Sequence, residues 1–117
     1  MDEYKSIVEK MNETEKAEAA RNSFNIINNS KQRSDIILGL CSGTSLYEIN
    51  IKEFALINES FNDLNSFIEQ SNNLDKSEKF EAGIKSFFIV NNLPSSSKEQ
   101  IFTGYYASAM INDISID

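Results

Sequence analysis

The chain's one cysteine, Cys41, lies in the run Gly39-Leu40-Cys41-Ser42-Gly43-Thr44-Ser45. A cysteine between glycines becomes a nucleophile when a base or an electropositive pocket lowers its pKa. Tyrosine-phosphatase chemistry places an arginine six positions after such a cysteine. Tyr47 stands there instead, so the anion clamp is missing and Cys41 reads as a small residue near a helix end. The sequence has no histidine, which removes Ser-His-Asp and Cys-His triads and every imidazole metal ligand. The phosphate-cradling patterns G-x-x-x-x-G-K-[ST] and G-x-G-x-x-G are absent too.

Paired carboxylates support glycoside hydrolysis or metal-assisted phosphoryl transfer. Glu59 and Asp63 stand four apart, and Glu78 and Glu81 three apart. No aromatic clustering distinguishes them from ordinary solvated positions. The reading is a non-catalytic chain that needs no metal and no cofactor.

Charge is the stronger signal. Between residues 34 and 75, Asp35, Glu48, Glu53, Glu59, Asp63, Glu69 and Asp75 face a single cation, Lys52. The whole chain has net charge −7 and a pI of about 4.6. An acidic field attracts basic partners and repels nucleic acid and anionic membrane. A helix-turn-helix with Gly43 in its turn would present Glu48, Glu53 and Glu59 to phosphate, the wrong sign for DNA. Glu48, Glu53, Glu59 and Asp63 are therefore candidate contacts for a basic protein partner.

Apolar spacing sets the elements that must carry these groups. Tyr4, Ile7, Val8 and Met11 line a short helix. Asn12 with Glu15 forms a capping-box pattern ahead of Ala17, Ala20, Phe24 and Ile27. Ile36, Ile37, Leu40 and Cys41 make a third face, with Gly43 as its closing residue. Tyr47, Phe54, Ile57, Phe61, Leu64 and Ile68 predict a helix of about 25 residues. Asn50 occupies its inner phase, or else caps a later start near Ile51. Leu46–Ile51 also alternate, so a short β-ribbon with the C-terminal tail Ile114-Ser115-Ile116 is an alternative. Asp75 with Glu78 opens a further helix whose core face is Phe80, Ile84, Phe87 and Phe88, ended by Pro94. Ser96 with Glu99 opens the last one.

Tyr105 and Tyr106 are adjacent on that last helix and point about 100° apart. One ring is expected near the surface, where aromatic side chains anchor interfaces. Phe87 and Phe88 raise the same question.

No internal repeat and no linker is evident. The expected fold is all-α: one domain over residues 1–117, an irregular bundle of five to six helices, with or without the ribbon formed by residues 46–51 and the tail. The N-terminus lacks a signal-peptide pattern and no run is long enough for a membrane span. One cysteine and an acidic composition suit the cytoplasm.

Two functions follow. The first is an inhibitor of immunity, antitoxin or phage-encoded type that neutralises a basic, nucleic-acid-acting enzyme through its acidic surface. The second is a protein-interaction module, such as a secretion chaperone, an adaptor or a homodimeric subunit, that binds through exposed aromatic side chains.

Overall fold

A computed structural model describes residues 2–116, and the chain there is all-helical. Seven α-helices run α1 Asp2–Glu9, α2 Glu13–Asn28, α3 Arg33–Leu46, α4 Ile57–Ser60, α5 Leu64–Asn72, α6 Lys76–Asn91 and α7 Ser95–Ile111. A single 3-10 turn, Ile51–Glu53, lies between α3 and α4.

The two 16-residue helices begin and end alike. Asn12 Oδ1 accepts from Glu15 N at 2.8 Å, and Glu15 Oε1 accepts from Asn12 N at 3.0 Å. Asp75 and Glu78 repeat the capping box at 2.9 and 3.0 Å. At the other end the Asn29 amide donates to Asn25 O, and the Asn92 amide to Phe88 O. Each helix thus satisfies its orphan backbone groups with its own side chains.

The likeness extends through the chain. Between the two helices Glu15, Lys16, Glu18, Ala19, Ser23, Phe24, Ile26, Asn28 and Asn29 reappear as Glu78, Lys79, Glu81, Ala82, Ser86, Phe87, Ile89, Asn91 and Asn92. Tyr4 and Met11 of α1 and its outlet correspond to Phe67 and Leu74 of α5 and its outlet. In α3 and α7, Ile36 and Gly39 match Ile101 and Gly104. Both helices leave through a left-handed acidic residue, Glu48 (φ 58°) and Asp113 (φ 56°). The next amide then bonds back in the same way, Ile49 N to Thr44 O and Ile114 N to Ala109 O. The chain is therefore an internal repeat of two three-helix units, α1–α3 and α5–α7, contrary to the sequence reading.

The units exchange partners about a pseudo-two-fold axis. Helix α2 packs on α7, α3 on α6, α1 on α7 and α5 on α3. The two main crossings are close because a glycine faces a small residue in each. A Cβ on Gly39 would lie 2.2 Å from Ser86 Cβ and 2.7 Å from Ala82 O. A Cβ on Gly104 would lie 2.2 Å from Ser23 Cβ and 2.4 Å from Ala19 O. Ser23 and Ser86 are themselves satisfied by the carbonyls of Ala20 and Gly83. A small apolar cavity of about 20 Å³ is lined by matched residues of the two units, such as Phe24 with Phe87 and Ile36 with Ile101.

The segment from Ile51 to Asp63 has no counterpart among the described residues of the second unit. It corrects two expectations and bears out a third, the cap at Asn50. The helix of about 25 residues does not form, because Phe54 is extended (φ −66°, ψ 127°) and Leu56 is left-handed (φ 68°). Ile51, Phe54, Ile57, Phe61 and Leu64 are all buried from consecutive short turns instead. Three-to-four spacing fits such turns as well as it fits one helix. No strand occurs among the described residues, so there is no ribbon between 46–51 and the tail. Asn50 caps the 3-10 turn, accepting from Lys52 N at 3.0 Å. Finally, α3 runs through Gly43 to Leu46 rather than closing at it, and α7 starts after Pro94 with no side-chain cap.

Candidate functional site

The burial of Cys41 settles its chemistry. It is 3% exposed, and desolvation lifts its thiol to about 12. A thiol held there stays protonated at neutral pH and is a poor nucleophile. Among the described residues no group of three or more Cys, Asp or Glu is placed to hold a metal ion. Glu78 belongs to the capping box of α6.

The four acidic candidates sit on separate elements and not on one long helix. Glu48 follows α3, Glu53 ends the 3-10 turn and Glu59 lies in α4; all three are exposed. Asp63 is taken up internally. Its carboxylate oxygens accept from both terminal nitrogens of Arg33 at 2.7 and 2.8 Å. The Arg33 hydrogen bonds hold the Asp63 carboxyl below its ordinary value, and the same bonds raise Arg33. Asp35 in turn lies 3.5 Å from Lys85 of α6. Folding thus brings two cations from outside residues 34–75 onto two of its seven acids, and the charge imbalance is milder in space than in sequence.

The tyrosine pair is packed rather than displayed. Tyr106 is 6% exposed and joins Val8 and Ala107 under α1. Tyr105 is half-buried, its ring 5.2 Å from Phe54, and burial raises its hydroxyl well above the ordinary value. Tyr105 is thus the ring nearer the surface, and neither ring is fully exposed.

Apart from Tyr47 (77% exposed) and Ile7 (50%), the exposed large apolar side chains of the described residues lie on α6. Phe80, Ile84, Phe87 and Phe88 are 59%, 52%, 45% and 69% exposed. They occupy positions i, i+4, i+7 and i+8 and form one stripe. Its opposite side, Gly83, Ser86, Ile89 and Val90, faces the core. Taking about 200 Å² for a buried aromatic side chain, the stripe exposes on the order of 400 Å², within the range of functional patches on monomers. The sequence places these four residues on one apolar face and leaves open whether Phe87 or Phe88 reaches the surface.

Helix α2 is an internal control for that stripe. Where the fold needs a residue type, the two helices agree, as at Ala19/Ala82, Ser23/Ser86 and Ile26/Ile89. At the stripe positions α2 carries Ala17, Arg21 and Asn25 against Phe80, Ile84 and Phe88. The fold therefore accepts polar or small residues at these places.

The fourth stripe position is conserved between the units but covered in only one. Phe24 is 1% exposed, with the Phe61 ring edge-on at 5.1 Å. The covering segment is pinned at the α2–α3 corner. The Asn28 amide donates to Ser60 O at 2.8 Å, Arg33 binds Asp63, and Arg33 also stacks over Phe61 at 5.8 Å. Phe87 has the Phe102 ring at 6.4 Å and borders the small cavity, but 45% of it stays exposed.

The chain matches no protein-family model, no curated protein and no solved structure. No described helix is long and apolar enough to cross a membrane.

Proposed function

We propose that the chain is a protein-interaction module that binds its partner through the apolar stripe of α6. One observation carries the reading. Two copies of the same helix occupy equivalent places in one fold, and only α6 is apolar at its exposed positions 80, 84 and 88. Exposed apolar area beyond what packing uses marks an association surface. Phe is enriched in the buried centre of such surfaces, and charged residues are depleted there.

The test exchanges the stripe for what α2 carries, F80A/I84R/F88N. Wild-type protein used as bait in lysate of the native host retains a partner through high salt, because apolar association is little screened. The exchanged protein, equally folded by circular dichroism, loses it. Equal retention by both proteins refutes the reading.

A charge-driven inhibitor of a basic enzyme is the second reading, supported by the exposure of Glu48, Glu53 and Glu59. Its partner would be released by salt, and replacing those three residues with glutamine would weaken capture while the α6 exchange would not.

A further inference from the structure

The covered half of the molecule states what the open half lacks. In the first unit Phe24, Asn28 and Arg33 receive Phe61, the Ser60 carbonyl and Asp63. In the second unit the equivalent residues are Phe87, Asn91 and Lys98. Ring, carboxamide and cation are all retained. Phe87 is 45% exposed, and the side chains of Asn91 and Lys98 have no partner among the described residues. Asn91 is exposed and Lys98 half-buried.

We propose that the α6–α7 corner accepts from a partner protein a short segment with an aromatic residue two positions before an acidic one. This inference rests on the interface reading above and names the chemistry of the occupant. The ring would lie against Phe87 as Phe61 lies against Phe24. The carbonyl before it would accept from the Asn91 amide, and its carboxylate would pair with Lys98. Charge complementarity fixes the sign: Lys98 matches Arg33 when counted back from Gly104 and Gly39, and it is a cation, so the third group must be an anion. Lysine gives one charged contact where arginine gives a bidentate pair, so the site is more tolerant of carboxylate geometry than the internal one. Phe80, Ile84 and Phe88 extend the surface beyond what the internal segment covers, which suits a longer apolar occupant.

The probe is a synthetic peptide with the sequence of residues 55–64 of this chain, titrated into ¹⁵N-labelled full-length protein and followed by amide shifts. Saturable shifts around Phe87, Asn91 and Lys98 are expected. Replacing the peptide's Phe by Ala should weaken binding at least tenfold, and its Asp by Asn several-fold. A peptide with Lys for Asp should bind Lys98→Glu protein better than wild type. No shifts at millimolar peptide, shifts confined to the α2–α3 corner, or indifference to the Asp change overturns the proposal. Shifts of the same amides on concentrating the protein without peptide would assign the face to a second copy and overturn it as well. If the peptide fails while partner capture still falls in F80A/I84R/F88N, the interface stands and only the occupant's chemistry is wrong.

Discussion

Adding one methyl group at three glycines should give opposite results at sites that look alike in sequence. Gly39, Gly43 and Gly104 all lie inside helices with no positive φ. Alanine therefore gains about 1 kcal/mol of intrinsic helix preference at each. At Gly43 nothing lies within 4 Å of the added Cβ, so that gain survives. At Gly104 the Cβ would meet Ser23 Cβ at 2.2 Å and Ala19 O at 2.4 Å. Both are rigid, one a side-chain root and the other backbone. Ordinary contact would require α2 and α7 to separate by about an ångström, and overpacking of this kind costs about 1–3 kcal/mol or more. The net loss for G104A is about 2 kcal/mol, and G39A should match it because Ser86 and Ala82 repeat the geometry. With roughly 4 °C per kcal/mol for a chain of this size, G43A should melt about 12 °C above G104A. Urea unfolding with an unchanged m value confirms that stability and not the unfolded state has moved. G104A as stable as G43A, or G39A and G104A differing by more than about 2 kcal/mol, refutes the paired close crossings.

Two further predictions use the same symmetry. Ser42 and Ser71 share a buried hydrogen bond of 2.9 Å where the other half has Ala107 and Val8. S42A alone should cost about 1–2 kcal/mol by orphaning the Ser71 hydroxyl, and S42A/S71V should recover most of it in a double-mutant cycle. D63N should destabilise by about 1 kcal/mol at pH 7, kept small because the pair is partly exposed. Since Arg33 lowers the Asp63 pKa, this contribution is full above the unfolded value near pH 4 and is lost as pH falls through the lower folded value. The wild-type and D63N unfolding curves should therefore converge in strong acid, and a difference that grows on acidification has the wrong sign.

Much of the helical frame was legible because capping is local. The pairs Asn12–Glu15 and Asp75–Glu78 are recognised within four residues, and both form. Pro94 ends α6 for an equally local reason. The repeat was less visible. Its identities concentrate in α2 and α6, while α3 and α7 share mainly Gly39/Gly104 and their outlets. Helix α7 also begins three residues earlier than α3 when both are counted from the shared glycine, which breaks the register between the two corners. The exposure of the α6 stripe was not legible for a different reason. Apolar residues nearly surround α6, and periodicity finds an apolar face without saying which of two is buried. Comparison of Phe80, Ile84 and Phe88 with Ala17, Arg21 and Asn25 was the signal that would have separated them. Asp63 looked like a free acid because its partner, Arg33, is brought from 30 residues away.

That the α6 stripe serves a partner and not the core is tested most directly by equilibrium urea unfolding of F80A/I84R/F88N beside the wild type. Residues 59%, 52% and 69% exposed contribute little packing, so the exchange should change stability by less than about 1 kcal/mol. A loss of about 3 kcal/mol or more, the cost of truncating buried large side chains, would place the stripe in the core and contradict the claim.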